Sequence, residues 1–328
     1  MKGIMLKKLV NFVRISIHRA HRFPLMFVFV QIFNKIFAYI YVNKHLRWVR
    51  ILALKSYEIR YKYINRYFDQ LFNTSKISET SFTENSNKER TIPKIIWVMW
   101  WQGEEMAPAI VQSSITSIRK NFAEYQVNVL TADNYQKYVV LPSKIKEKLE
   151  NKKITVTNFS DFLRSSLLSK YGGIWLDATI FVSGKVDFSD PFWTIHSNNS
   201  QLDFANNPSQ GRWSAFAIGS VPSGPLMTFM SFAFRQYWEI EDELIDYFLV
   251  DFLIDYAYRK YPEVRREIDQ VPINNTQVFQ IDQMLMDNKS LDTVIEQLKP
   301  TCLHKLSYKH DTANLGQDSI YQQILSTR

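Results

Sequence analysis

Between Asn158 and Thr179 the chain reads Asn-Phe-Ser-Asp-Phe-Leu-Arg-Ser-Ser-Leu-Leu-Ser-Lys-Tyr-Gly-Gly-Ile-Trp-Leu-Asp-Ala-Thr, and this run limits the fold more than any other. Phe159, Phe162, Leu163 and Leu167 recur at helical spacing, which predicts a helix over 158–170 with one buried stripe. Gly172 and Gly173 end that helix and permit a tight turn. Ile174, Trp175 and Leu176 are apolar at consecutive positions, as in a strand covered on both faces. A helix that turns at once into a buried strand is a unit of an α/β fold. Asp161 and Arg164, three residues apart, share one face of the helix. Asp177 leaves the strand at its C-terminal end, the side on which open parallel sheets bind ligands.

The segments around this run repeat the alternation. Ile95–Met99, after Pro93, reads as a buried strand, and 107–120 as a helix with Pro108 in its first turn. Val127–Leu130 is a second strand, and 133–150 gives polar helical turns broken at Pro142. The pattern predicts an α/β fold with a mostly parallel central sheet. After residue 224 the composition changes: 225–260 reads as long aromatic helix and 276–298 as further helix, so the C-terminal half is a helical cover.

The chain of 328 residues carries a net charge of +8, but the charge is not spread evenly. Residues 1–72 hold 14 Lys and Arg against Glu58 and Asp69, a balance of +12, which leaves −4 for the remainder. A nucleic-acid binder would carry its basic groups on the folded part, so no nucleic-acid partner is expected. Residues 1–72 read as a basic, aromatic helical N-terminal extension suited to an anionic membrane surface. The alternative is a helical cap on the catalytic part with a solvated basic face. The apolar run Phe23–Phe33 is too short to span a bilayer, and the segment extended to Val42 contains Gln31, Asn34 and Lys35. Residues 73–90 are a polar linker, and 91–328 form the catalytic domain. The single Cys302 excludes a disulfide framework and fits a reducing compartment. These features suggest a cytoplasmic protein, peripheral on the inner face of the cell membrane.

An Asp161/Arg164 pair facing Asp177 suits a sugar phosphate: the carboxylates can bind hydroxyls or a divalent ion, and the guanidinium hydroxyls or a phosphate oxygen. Each element also has a plainer reading. Asn158 with Asp161 could be a helix cap, Asp161–Arg164 a surface ion pair, and Gly172-Gly173 an ordinary helix stop. Asp187 and Asp190, before Pro191, read as turn residues. His18, His21 and His45 lie in the basic segment, and His196 in a Ser/Asn-rich loop. Nucleotide-binding glycine loops, zinc-protease and serine-hydrolase motifs are absent from the sequence.

The succession Ser160-Asp-x-x-Arg164 and Tyr171-Gly-Gly-x-x-x-Asp177 resembles the sugar-binding D-x-D region of family 32 glycosyltransferases, and the whole is most similar to bacterial capsular polysaccharide synthesis proteins. Ile92–Trp97 followed by Trp100–Gly103, Leu176–Thr179, Tyr237-Trp238, Leu244–Phe248 and His304–Lys309 extend the likeness over about 91–325. The resemblance implies a GT-A-like glycosyltransferase fold and transfer of a sugar from a nucleotide-sugar donor to a growing surface glycan, capsular or exopolysaccharide. It implies a retaining outcome and a glycan acceptor on a lipid carrier.

It also implies residue roles: Trp100 stacks on the base with Gln102 and Gly103 beside it, Asp161 and Arg164 hold the sugar, and Asp177 approaches the ribose and a Mn²⁺ or Mg²⁺ ion. Gly172, Gly173 and Thr179 complete the donor-binding region. The second Asp of the D-x-D is here Thr179, a neutral and weaker ligand. Either the metal is held by Asp177 and the diphosphate with help from His304, or Lys305 or Lys309 replaces it as a charge clamp. An alternative function is a non-catalytic interaction protein on the same fold, its metal site lost.

Overall fold

The computed structural model of the chain describes residues 20–73, 91–198, 207–312 and 315–327. The first 19 residues of the basic segment and the polar stretch 74–90 lie outside the described residues.

Helix α1 (Leu25–Lys44) and helix α2 (Arg47–Asn73) form an antiparallel hairpin that turns at His45, whose φ is 51°. There follow β1 (Ile95–Met99), α3 (Ala109–Asn121), β2 (Gln126–Leu130), α4 (Ser143–Glu150), α5 (Val156–Tyr171) and β3 (Gly173–Leu176). Next come β4 (Ile180–Val182), β5 (Phe192–Thr194), β6 (Ala217–Ser220), α6 (Pro225–Ile240), α7 (Leu249–Lys260) and α8 (Pro262–Asp269). The described chain closes with α9 (Gln280–Gln283), α10 (Leu291–Gln297), β7 (Leu303–Lys305) and α11 (Ile320–Ser326).

The central sheet has the order β2-β1-β3-β6-β5. β1 pairs in parallel with β2 and β3, and β6 runs antiparallel to both β3 and β5, so four of the five strands point one way. This is the mostly parallel α/β sheet that the sequence pattern predicts. The strands alternate strictly between two apolar layers. Trp97, Met99, Trp175 and Ile218 face one layer; Ile96, Val98, Ile174 and Leu176 face the other. Both faces are therefore covered, which explains the uninterrupted apolar run of β3.

The hairpin is built into the first of these layers. Phe23, Phe27 and Val28 join Ile64, Phe68, Leu71 and Phe72 in one core with Trp97, Phe162, Trp175, Phe229, Trp238 and Phe252. Among the described residues no helix is long and apolar enough to cross a membrane.

Three local expectations change. The helix of the opening run starts at Val156, and its cap is Thr155, whose Oγ accepts from the Asn158 amide; Asn158 is not the cap. The stretch 225–260 is two helices, α6 and α7, separated by 241–248. No Gly or Pro marks that break. Tertiary partners make it: Lys148 Nζ donates to the carbonyls of Trp238 and Glu241, at 2.7 and 2.8 Å, and so closes the end of α6. Within 276–298 only α9 and α10, of four and seven residues, are α-helical. Asp187 is a turn residue, as its setting predicts, and accepts from the Ser189 amide.

Candidate active site

The glycines of the opening run fix the geometry. Gly172 and Gly173 have φ of +64° and +93°, a region other residues rarely adopt. A Cβ on Gly173 would stand 2.5 Å from the Ile95 carbonyl, and one on Gly172 would stand 2.8 Å from that of Ser220. Their smallness lets β3 start against β1 and β6. Trp97 Nε1 donates to the Gly172 carbonyl at 3.0 Å, which seals the turn. Both glycines are buried at the N-terminal end of β3, the length of the strand away from Asp177. Their expected part in donor binding is therefore corrected to a packing role.

At the other end of β3 charges converge. Lys305 Nζ donates to Asp177 Oδ2 at 2.6 Å, and Trp175 Nε1 donates to Asp177 Oδ1 at 2.9 Å. Arg164 reaches Asp161 Oδ1 at 2.8 Å and Asp177 Oδ1 at 3.4 Å, with its guanidinium carbon 4.9 Å from the centre of the Trp175 ring. Arg164 is buried, and its Nε has no hydrogen-bond partner in the structure. Two carboxylates and two cations thus share one end of the sheet.

Their electrostatics differ. Burial opposes ionisation of Asp177, but the Lys305 ammonium, the Arg164 guanidinium and hydrogen bonds from Lys305 and Trp175 outweigh it and hold its pKa below the ordinary value. Asp161 is pushed up to about 6, by burial first and then by the charge of Asp177, against the pull of Arg164.

These residues line a cleft of about 390 Å³ between α5, the segment before β6, the 241–248 break and β7. A further carboxylate lies in it that the sequence did not single out. Asp251, in the first turn of α7, accepts from Trp213 Nε1 at 3.0 Å and Asn207 Nδ2 at 3.2 Å, and burial pushes it up to about 7. Phe216, Tyr247, Phe248 and Phe279 supply apolar walls. The Leu244–Phe248 motif was the only signal for this wall, and by itself it carries no position relative to Asp177.

The remaining expected residues divide. Trp100 follows β1, is half-buried and meets Tyr308 edge-on at 5.4 Å, while Trp97 is core and Trp101 stacks on Tyr135. Gln102 and Gly103 line a separate open depression with Glu104, Glu105 and Thr131. Thr179 is half-buried, and its carbonyl accepts from the Leu306 amide, fixing the chain after Lys305. Lys309 is exposed, its ammonium 5.5 Å from the centre of the Tyr308 ring, and it does not line the cleft.

His304 is a correction. Strand alternation that turns Lys305 toward Asp177 turns His304 inward, where it is fully buried and bonded to Ser183 Oγ at 2.8 Å. Burial pushes it down to about 4. It can serve neither as clamp nor as ligand at Asp177. The surroundings of Asp177 offer few protein ligands for a cation. Both Asp177 oxygens are engaged, Thr179 stands in place of the second acid, and no three Asp, Glu, His or Cys converge among the described residues.

The sequence pattern described as "Capsular polysaccharide synthesis protein" matches residues 46–324. The chain belongs to the capsular polysaccharide synthesis family. The match begins at Leu46, immediately before α2, so this capsular synthesis chain carries the family pattern well before the Ile92–Trp97 motif. It is 33% identical over 93 residues to the O-glycosyltransferase PaGT of Phomopsis amygdali, a stretch that is 26% of this chain and 23% of that protein. The chain thus spans about a quarter of the length of that relative. The solved structure of the PaToxG glycosyltransferase covers 66% of this chain and 90% of its own, at 15% identity and a TM-score of 0.38.

Proposed function

We propose that this chain is a nucleotide-sugar-dependent glycosyltransferase of GT-A type that extends a capsular or other surface polysaccharide with retention of configuration. The observation that carries the reading is the convergence of Asp161, Arg164, Asp177 and Lys305 in one cleft, in a chain of the capsular synthesis family. Asp161 and Asp177 accept hydrogen bonds from sugar and ribose hydroxyls. Arg164 and Lys305 hold the diphosphate and stabilise the charge that develops on it as the bond from the sugar C1 breaks. The acceptor oxygen forms the new bond to C1 on the face that the diphosphate leaves, and its proton passes to the departing phosphate oxygen. Lys305, paired to Asp177, supplies the positive charge that a Mn²⁺ or Mg²⁺ ion would bring in a D-x-D enzyme. Trp100 stacks on the base. The acceptor is lipid-linked, and the basic N-terminal segment keeps the enzyme peripheral on the inner face of the cell membrane.

A panel of nucleotide sugars tested by calorimetry, and by transfer or hydrolysis with Mn²⁺ or with a chelator, examines this. One donor is expected to bind and turn over, Asp177→Ala to abolish turnover, and activity to survive chelation. Lys305→Met is expected to lower turnover by about 100-fold or more, as when a charge-stabilising group is removed. Loss of activity in chelator would refute the Lys305 clamp alone. No binding by any donor would sink the transferase reading and leave the non-catalytic alternative.

A further inference from the structure

The α1–α2 hairpin carries apolar side chains on its outer side as well as on its buried one. Its inner side holds Gln31, Asn34, Ser56 and Arg60, all buried and hydrogen-bonded. Its outer side on α1 shows Leu25, Met26, Phe29, Phe33 and Ile36, from 36 to 74% exposed. On α2 the exposed residues Trp48, Leu52, Lys55, Ile59, Lys62 and Arg66 follow one another in steps of three and four, so they form one stripe. A water-facing helix pair buries its apolar side chains and exposes its polar ones. Single exposed apolar residues need no explanation, but a field of them on two adjoining helices marks a covered surface.

We propose that this face is a lipid-inserting surface, which lies in the plane of an anionic phospholipid bilayer with its apolar side chains below the headgroups. It deepens the membrane association proposed above, giving that association an apolar as well as an electrostatic basis, and it is independent of the transferase reading. Charge selects the occupant. α1 contains no acid, and the α2 stripe carries Lys55, Lys62 and Arg66, with Glu58 alongside and bonded to Lys62. Two copies meeting through this face would add basic charge to basic charge; phospholipid phosphates offset it. The hairpin lies on the bilayer and does not cross it, since neither helix has a spanning segment.

The test is co-sedimentation of the full chain with phosphatidylcholine vesicles, with and without phosphatidylglycerol. Binding is expected to the mixed vesicles and to survive in part at about 0.5 M salt, where headgroup attraction is screened. Phe29→Glu with Phe33→Glu is expected to lower partitioning by about ten-fold or more while leaving the melting temperature near that of the parent chain. Lys55→Glu with Arg66→Glu is expected to remove the preference for phosphatidylglycerol. Unchanged vesicle binding by the Phe29/Phe33 variant would overturn the proposal. So would conversion of a stable dimer to a monomer by that variant with no vesicle binding in the parent. Transfer activity is read separately, so failure of one proposal leaves the other standing.

Discussion

Arg60→Met tests how the hairpin is joined to the cleft. Arg60 is 4% exposed and Asp246 5%, and they pair through Arg60 Nε to Asp246 Oδ2 at 2.8 Å and Nη2 to Oδ1 at 3.1 Å. Gln31 also donates to Asp246 Oδ2, and the Phe248 amide donates to Oδ1, so the carboxylate ties the hairpin to the start of α7. The next residues, Tyr247 and Phe248, wall the cleft. Met keeps most of the side-chain volume but leaves Asp246 as a buried acid without its cation. Breaking a buried pair from one side costs about 3–5 kcal/mol, a large share of the roughly 5–15 kcal/mol that holds a typical domain. Replacing both partners, Arg60→Met with Asp246→Leu, removes the stranded charge and is expected to recover most of that loss in urea unfolding followed by circular dichroism. The two hydrogen bonds of Gln31 and Phe248 are not recovered, so a residue of about 1–2 kcal/mol should remain. A loss below about 1 kcal/mol in the single variant, or a double variant no better than the single, would refute the argument that the pair acts as a buried ion pair.

Further outcomes follow from the same structure. Asp251, pushed up to about 7 in the folded chain, binds its proton more tightly there than when unfolded. Its contribution to stability is therefore full below its unfolded pKa and is lost as pH rises through about 7; Asp251→Asn should flatten the stability profile between roughly pH 4 and 7, measured by unfolding at each pH. An unchanged slope would show that Asp251 does not titrate as the geometry requires. Gly173→Ala combines a positive φ with a Cβ 2.5 Å from a backbone carbonyl, and is expected to destabilise by about 2–4 kcal/mol with little soluble yield. Normal folding of that variant would contradict the close approach of β3 to β1.

The helix, glycine turn and strand around Asp161–Asp177 were legible because their signals are local: a 3.6-residue stripe, two residues able to take positive φ, and an apolar run. The placement of Asp161 and Arg164 beside Asp177 also follows locally, since one turn and one short strand separate them. His304 and Lys305 show the limit. Sequence could nominate both, but which of the two faces Asp177 depends on the pairing of β7 with β4, a contact between segments more than a hundred residues apart.

The chain alone thus determined the α/β alternation, the carboxylate at the end of β3 and the segregation of basic charge to the first 72 residues. Only the tertiary structure decided that Gly172 and Gly173 pack at the far end of β3, that Asp251 joins the cleft, and that the hairpin leaves a field of apolar side chains exposed on its outer side. The physical reason is that backbone conformation is set by neighbouring residues, whereas burial, the partner of a charge and the face turned to a ligand are set by whatever distant segment packs alongside.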